Sequence, residues 1–186
     1  VADFTRERVE PQAAEFDLRG ELNQALFREL SQLGMNGITI PDTHGGAGMD
    51  AVASVIVHHE LSKSDPGFCL AYLAHALLFV NNFFWASSEA QKKKYLEPVL
   101  TGEWLGGMGM TEPGHGTDVL GMSTTAVRKG GRYILNGSKT YITNACEGRV
   151  FQVYAKTEGK ISAFVVDRDC PGFTTSRLRL PVTSKP

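Results

Sequence analysis

The sequence predicts an α+β fold, in which a helical domain of residues 1–102 is followed by an antiparallel β domain of residues 103–186. Up to about residue 101, apolar residues recur at three- and four-residue steps, the period of an α-helix. Beyond Glu103 the period becomes two, in short runs separated by turn residues. A block of helices before a block of strands indicates an α+β arrangement or two successive domains. We therefore place the boundary near Gly102.

The first well-marked helix carries Leu22, Leu26, Leu30 and Leu33 on one face. Gly34 follows at once and suits a helix C-terminus, because glycine adopts the left-handed conformation at little cost. A second helix is predicted from Ala51 to about residue 63, after the loop PDTHGGAGMD. Its buried residues are expected to be all or some of Val52, Val55, Ile56 and Leu61.

The most apolar stretch of the sequence runs from Phe68 to Val80, after the helix-breaking segment Ser64-Asp65-Pro66-Gly67. A membrane-spanning helix needs about 20 apolar residues. We therefore expect a buried helix of a soluble protein and no membrane span. The next helix opens on the capping box Ser88-Glu89-Ala90-Gln91, runs through Leu100 and stops at Gly102.

Strand-like runs fill the second half of the sequence, among them TTAV, RYIL, KTYIT, VFQVYA and ISAFVV. Gly130-Gly131 and Asn136-Gly137 are predicted hairpin turns because glycine tolerates positive φ, and Glu158-Gly159-Lys160 closes a third. The final segment, RLRLPVTSKP, leads out of a strand, so the sheet looks unfinished within this sequence.

Composition is that of an ordinary globular chain, with 42% apolar and 21% charged residues. Nineteen basic and twenty acidic residues give a net charge of −1, so no electrostatic footprint for nucleic acid is visible. The cysteines Cys69, Cys146 and Cys170 show neither CxxC nor zinc-finger spacing. A reduced, cytoplasmic location fits best.

The segment MGMTEPGHGTD, residues 108–118, leaves a strand and enters a glycine-rich loop. Gly114 and Gly116 allow close approach of a ligand, and Thr111 and Thr117 add hydroxyl donors for carbonyl or phosphate oxygens. This chemistry suits a nucleotide cofactor, although a plain turn set by its proline and glycines explains the pattern equally well. Its spacing is neither GxGxxG nor that of a phosphate-binding loop.

The segment NGSKTYITNA, residues 136–145, is predicted to turn into a strand with Tyr141 and Thr143 on one face. Such a face could pack against a flat ring and bond its polar edge. Ordinary sheet packing is the alternative.

Together, these two segments resemble the signature segments of the acyl-CoA dehydrogenases, in the family's order and spacing. IPDTHGGAGMD, HHELSKSD and SSEAQKKKYLEPVLTGEW match as well, so the resemblance covers essentially all 186 residues. In the family, an N-terminal helical domain precedes a barrel-like β domain, which holds FAD against a C-terminal helical domain. The resemblance implies that this sequence supplies the first and most of the second, and lacks the third.

The resemblance implies an FAD site built from both segments. The expected cofactor-binding residues are Met108, Gly109, Met110, Thr111, Gly116, Thr117, Tyr141, Ile142 and Thr143. The backbone of residues 108–110 should lie along the flavin, and Thr111 should bond the isoalloxazine edge. Tyr141 and Thr143 should cover the other side, where the family often has Trp instead of Tyr. Thr117 should contact the FAD pyrophosphate, the acyl-CoA substrate or both.

The activity implied is FAD-dependent α,β-dehydrogenation of an acyl-CoA thioester, in which a carboxylate takes the α-proton. That base lies in the family's C-terminal domain and no residue here matches it, so we name no catalytic residue. Glu60 and Glu112 are expected to be solvated carboxylates. No metal site is expected, since His58 and His59 point about 100° apart on a helix. His75 is expected to be a satisfied core histidine.

The partners implied are an acyl-CoA substrate and an electron-transfer flavoprotein, with assembly into a homotetramer or homodimer and no nucleic acid. One alternative is an oxygen-using relative, such as an acyl-CoA oxidase or a flavin monooxygenase. Another is a non-catalytic fragment that binds acyl-CoA or flavin. A serine hydrolase is disfavoured because GxSxG is absent.

Overall fold

A computed structural model describes residues 1–178 and confirms the predicted α+β class. The helices are α1 (Ala2–Phe4, Thr5–Val9 and Glu10–Arg19 in continuous succession), α2 (Gln24–Gln32), α3 (Ala51–Ser64), α4 (Pro66–Ala86) and α5 (Glu89–Leu100). The strands are β1 (Gly106–Gly109), β2 (Thr125–Lys129), β3 (Arg132–Asn136), β4 (Val150–Thr157) and β5 (Lys160–Asp167). Most of the segment RLRLPVTSKP lies outside the described residues.

The predicted helix ends are confirmed at the residues that cap them. Asp65 ends α3 and opens α4, where its carboxylate accepts a hydrogen bond from the backbone N–H of Phe68 at 2.8 Å. Ser88 and Gln91 form the capping box of α5. Gly34 and Gly102 both have positive φ, at +76° and +74°. Side-chain N-caps such as Asp65 and Ser88 each stabilise a helix by about 1 kcal/mol.

The buried helix faces differ in part from those predicted. Leu26 and Leu30 are buried in the core, whereas Leu33 lies beyond the last turn of α2 and is half exposed. On α3, only Leu61 of the four residues predicted to be buried is buried, because this helix packs through the face that carries Leu61 and Val57. The other three predicted residues are exposed: Val52, Val55 and Ile56.

Helix α4 is the central core element, and its buried apolar character was predicted. Tyr72, Phe79 and Phe83 on this helix are completely buried. By length and composition alone, its 21 residues could cross a membrane, but 61% of its most apolar window is buried inside the protein. That degree of burial is typical of the core helix of a globular domain.

The sheet is mixed, whereas an antiparallel one was predicted. Strand β4 lies in the middle and pairs antiparallel with β5 along its whole length. On its other edge it pairs in parallel with β1 and, at a single position, with β2. The pairing of β1 with β4 is parallel because residues 110–149 form a long crossover connection, which lets β4 run in the same direction as β1. The hairpins at Gly130-Gly131 and Glu158-Gly159 are as predicted.

Residues 137–149 form a loop, so the predicted strand KTYIT and the predicted hairpin turn at Asn136-Gly137 are both wrong. Tyr141 and Asn144 have φ of +56° and +67°, which interrupts any strand ladder. Tyr141 and Thr143 therefore share no strand face. The loop instead folds back along the segment that follows β1, because its polar groups find partners there.

Candidate functional site

The structure brings the two segments singled out in the sequence side by side. The backbone N–H of Thr140 donates to the carbonyl of Thr111 at 2.9 Å. The ammonium of Lys139 donates to the carbonyl of Met110 at 3.0 Å and to the carboxylate of Glu112 at 2.8 Å. Segments almost thirty residues apart in sequence thus form one surface.

Strand β1 lies between helix α4 and the loop, and its glycines make this approach feasible. A Cβ at Gly106 would lie 2.4 Å from the ring of Phe79. A Cβ at Gly107 would lie 2.9 Å from the carbonyl oxygen of Thr143. Successive residues of a strand face opposite sides, so the two glycines clear both sides of β1.

Asn144 anchors the loop to the rest of the fold. Its buried side-chain amide donates to the carbonyl of Ala71 at 3.0 Å and to that of Gly106 at 3.1 Å. Arg168, just beyond β5, donates to the carbonyls of Ala145 and Gly148 at 3.0 and 2.9 Å. Sequence reasoning assigned no role to either residue. For Asn144 the available signal was the tolerance of asparagine for a left-handed backbone.

His75 joins the helices to β1 and is the core histidine that was predicted. Its Nδ1 accepts a hydrogen bond from the backbone N–H of Gly106 at 2.8 Å, so Nε2 is the donor to the carbonyl of Val99 at 2.9 Å. Burial lowers its pKa to about 4. Both ring nitrogens are used in neutral form. Among residues 1–178, no cluster of three His, Cys, Asp or Glu side chains could hold a metal ion.

Glu112 is buried, which contradicts the prediction of a solvated loop carboxylate. Its two oxygens accept from the backbone N–H and the hydroxyl of both Ser123 and Thr124, and from Lys139. Burial alone would raise its pKa, but these donors outweigh burial and hold the pKa well below its usual range. By contrast, Glu60 lies at the surface of α3 beside Lys63, which lowers its pKa.

An open groove of about 2150 Å³ lies over the loop and the adjoining face of the sheet. Four of the nine predicted cofactor-binding residues line it: Gly109, Tyr141, Ile142 and Thr143. Met108, Met110 and Thr111 are half buried in the neighbouring segment, and Gly116 and Thr117 are exposed further along its loop. Tyr141 is 67% exposed, and its backbone has a positive φ.

Hydroxyl groups lie in and beside the same groove. Thr143 lines it, and Thr111 lies in the neighbouring segment, where its carbonyl accepts from the backbone N–H of Thr140. The exposed aromatic ring of Tyr141, the groove-lining Gly109 and the nearby hydroxyl donors suit a large planar ligand with a polar edge. The residues present therefore fit a flavin.

Comparison with known proteins identifies the family that has this arrangement. Residues 1–103 match the model of the acyl-CoA dehydrogenase N-terminal domain, and residues 107–185 match that of the acyl-CoA dehydrogenase middle domain. The chain belongs to the acyl-CoA dehydrogenase family. The resemblance carried by the two signature segments is thereby confirmed.

The mitochondrial isovaleryl-CoA dehydrogenase of Pongo abelii is 39% identical over an alignment of 186 residues, gaps included, that covers 95% of this chain and 44% of that protein. An acyl-CoA dehydrogenase of Bacillus subtilis is 34% identical over 182 residues, 95% of this chain and 48% of that protein. This chain therefore spans slightly less than half the length of these curated relatives.

Solved structures show the same fold. The acyl-CoA dehydrogenase of Bacillus anthracis complexed with FAD has a TM-score of 0.88 at 37% identity, covering 96% of this chain and 31% of that one. A chain from work on the electron-transferring flavoprotein of Acidaminococcus fermentans has a TM-score of 0.90 at 36% identity, covering 96% and 48%. PigA with FAD and proline has a TM-score of 0.87 at 29% identity, covering 92% and 46%. FAD is thus a cofactor found within this family.

Proposed function

We propose that this chain supplies much of the FAD site of an enzyme that oxidises an acyl-CoA thioester to its 2-enoyl-CoA. The observation that carries the proposal is the joining of the two signature segments beside one groove, through Lys139 and Thr140. Membership of the acyl-CoA dehydrogenase family supports the activity of an oxidoreductase. The isovaleryl-CoA dehydrogenase relative supports an acyl-CoA substrate, and the relative from Acidaminococcus fermentans supports an electron-transferring flavoprotein as acceptor.

Residues of the groove and of the signature segment beside it would bind and orient the cofactor. The exposed ring of Tyr141 would form an apolar wall against its flat face and exclude water there. The hydroxyls of Thr111 and Thr143 would donate to its polar edge, and Thr117 would donate to a phosphate of FAD or of acyl-CoA. When bound, FAD supplies the hydride acceptor for the reaction.

Glu112 does not fit the role of the base that takes the α-proton. Five donors occupy its two oxygens, and its lowered pKa makes it a weak base. We therefore still assign no catalytic residue to residues 1–178. The proposed role of this chain is to hold and orient the cofactor and part of the substrate.

A second candidate function is oxidation of a substrate other than acyl-CoA, by an oxygen-using relative of this fold. The structure of PigA with FAD and proline is the observation that favours it, because proline and not an acyl-CoA accompanies FAD there. The two candidates differ in what reduces the flavin and in what reoxidises it.

Anaerobic titration of the purified flavoprotein with isovaleryl-, butyryl- and longer acyl-CoA thioesters tests the proposal. We expect at least one thioester to bleach the flavin absorbance within seconds, and electron-transferring flavoprotein to restore it faster than oxygen does. Bleaching by none of the thioesters, or rapid reoxidation by oxygen alone, would favour the second candidate.

Two further proposals concern the state of the protein in the cell. We propose a homodimer or homotetramer, which size-exclusion chromatography with light scattering would establish. We also propose a reduced, cytoplasmic location, in keeping with free thiols at Cys69, Cys146 and Cys170.

A further inference from the structure

Lys139 and Glu112 form a buried ion pair at the junction of the two signature segments. Their charged atoms are 2.8 Å apart, and their side chains are 11% and 1% exposed. We propose that Lys139 is a positioning residue that sets the placement of Thr111 relative to the loop of residues 137–149. This inference rests on the proposed FAD site, whose two sides these segments form.

The contacts of Lys139 fall on either side of Thr111. Its ammonium bonds the carbonyl of Met110, which precedes Thr111, and the carboxylate of Glu112, which follows it. The next residue of the loop, Thr140, bonds the carbonyl of Thr111 itself. Three consecutive residues of the first segment are thus held by two consecutive residues of the second.

Glu112 extends this connection to the sheet. Its remaining bonds go to Ser123 and Thr124, directly before β2. A carboxylate with five donors is rigid, so it gives the ammonium of Lys139 a fixed partner. The hydroxyl of Thr111 is therefore presented from a backbone that is fixed on both sides.

The stem of Lys139 passes beside Gly109 in β1. A Cβ at Gly109 would lie 3.4 Å from Cγ and 3.8 Å from Cβ of Lys139, which are ordinary van der Waals distances. The lysine therefore approaches β1 along its stem as well as through its ammonium. Gly109 and Lys139 belong to different segments, so this proximity was not readable from either segment alone.

A purely stabilising role is the rival explanation, and the two roles predict different effects. Buried ion pairs often add little net stability compared with apolar replacements. A positioning role requires that loss of Lys139 speeds hydrogen exchange in the two segments, while the exchange of backbone amides in the rest of the fold stays as slow as before. A stabilising role would affect the whole fold evenly.

The test compares the purified wild-type protein with K139M and with the control K94M. Lys94 also forms an ion pair, with Asp167 at 2.9 Å, but it joins α5 to the end of β5 and touches neither segment. Hydrogen–deuterium exchange without added cofactor is followed in peptides that cover residues 110–117 and 138–147. The dissociation constant for FAD is measured by fluorescence in parallel.

For K139M we expect hydrogen exchange in both peptides to become about tenfold faster or more, with exchange in helix α4 unchanged. FAD should bind about 10- to 100-fold more weakly, because charge-assisted hydrogen bonds that position the site are lost. K139R, which keeps the charge, should recover most of the protection. K94M should match the wild type in these two peptides. If K139M does not fold, K139R and E112Q are compared by the same two measurements, and E112Q should show the faster exchange.

Equal exchange of the two peptides in K139M and K94M, with equal FAD affinity, would overturn the inference, as would faster exchange spread evenly over the whole chain. A wild-type protein that binds no FAD would instead overturn the proposed function. The exchange measurement would still decide whether Lys139 couples the segments.

Discussion

The backbone N–H of Gly106 donates to Nδ1 of His75 at 2.8 Å, where the first strand of the sheet meets the central helix. The other ring nitrogen bonds the carbonyl of Val99 near the end of α5. One neutral imidazole therefore links α4, α5 and β1. Because Gly106 also accepts a hydrogen bond from Asn144, the same strand position supports the loop beside the groove.

Acidification should destabilise the protein through His75. Its folded pKa is about 4 and its ordinary value is 6.5, so between these pH values the unfolded chain takes up a proton that the folded protein does not. Stability should be full above pH 6.5 and fall by up to about 3 kcal/mol as the pH drops to 4. Urea unfolding at several pH values from 7.5 to 4 measures the free energy of unfolding. In H75Q, this free energy should depend less on pH than in the wild type. An unchanged slope in H75Q would contradict the assignment.

Protonation of Glu112 should cause a second loss of stability at lower pH. Its pKa is held below the ordinary value of 4.5, so its contribution is complete above that pH and is lost as the pH falls further. E112Q should be less stable than the wild type at neutral pH, and the difference should shrink below pH 4. Thermal unfolding of both proteins at pH 7 and pH 3.5 measures the two differences. A difference independent of pH would show that the charge is immaterial.

A methyl group at Gly107 should disturb the groove. G107A places Cβ 2.9 Å from the carbonyl oxygen of Thr143, so the loop must shift. We expect a destabilisation of about 1–3 kcal/mol and weaker FAD binding. G67A is the control, since Gly67 lies outside the groove and its Cβ would meet only the side-chain Oδ1 of Asp65, at 3.4 Å. Denaturant unfolding and FAD titration of both variants make the comparison, and equal behaviour would refute the close approach.

Removing the amide of Asn144 should release the loop from the core. N144A loses the bonds to Ala71 and Gly106 and forces alanine into a left-handed backbone, at a cost of about 2–4 kcal/mol. N144G relieves the backbone cost but not the lost bonds, so it should be intermediate in stability. Unfolding free energies of the three proteins test this order. N144A as stable as the wild type would show that the anchor is unimportant.

Much of the helical half was predictable because its signals are local. The capping box of Ser88 and Gln91 and the break at Asp65 depend on residues within one turn of each other, and both are present as predicted. The exposed residues of α3 were not foreseen. Apolar periodicity identifies a helix, but Val57 and Leu61 face the core only because of how α3 packs against its neighbours.

The loop of residues 137–149 was mispredicted because strand propensity depends on context. The run KTYIT has strand-forming residues, yet its own Lys139 and the adjacent Asn144 have partners far away in sequence: Asn144 bonds Ala71, and Lys139 bonds Glu112. These long-range bonds also explain the error on Glu112, since no local signal tells a buried carboxylate from a solvated one. The segments themselves were correctly singled out, and their predicted contacts with FAD remain predictions.

The visible absorption spectrum of the purified protein, recorded with stepwise additions of FAD, tests the central claim most directly. We predict saturable binding with about one flavin per chain and a shifted flavin absorption band, and a loss of affinity when Tyr141 is replaced by alanine. The ring of Tyr141 forms an exposed wall of the groove and should contribute about 1 kcal/mol or more by stacking. A protein that binds no flavin, or a Y141A variant that binds it as tightly as the wild type, would contradict the account.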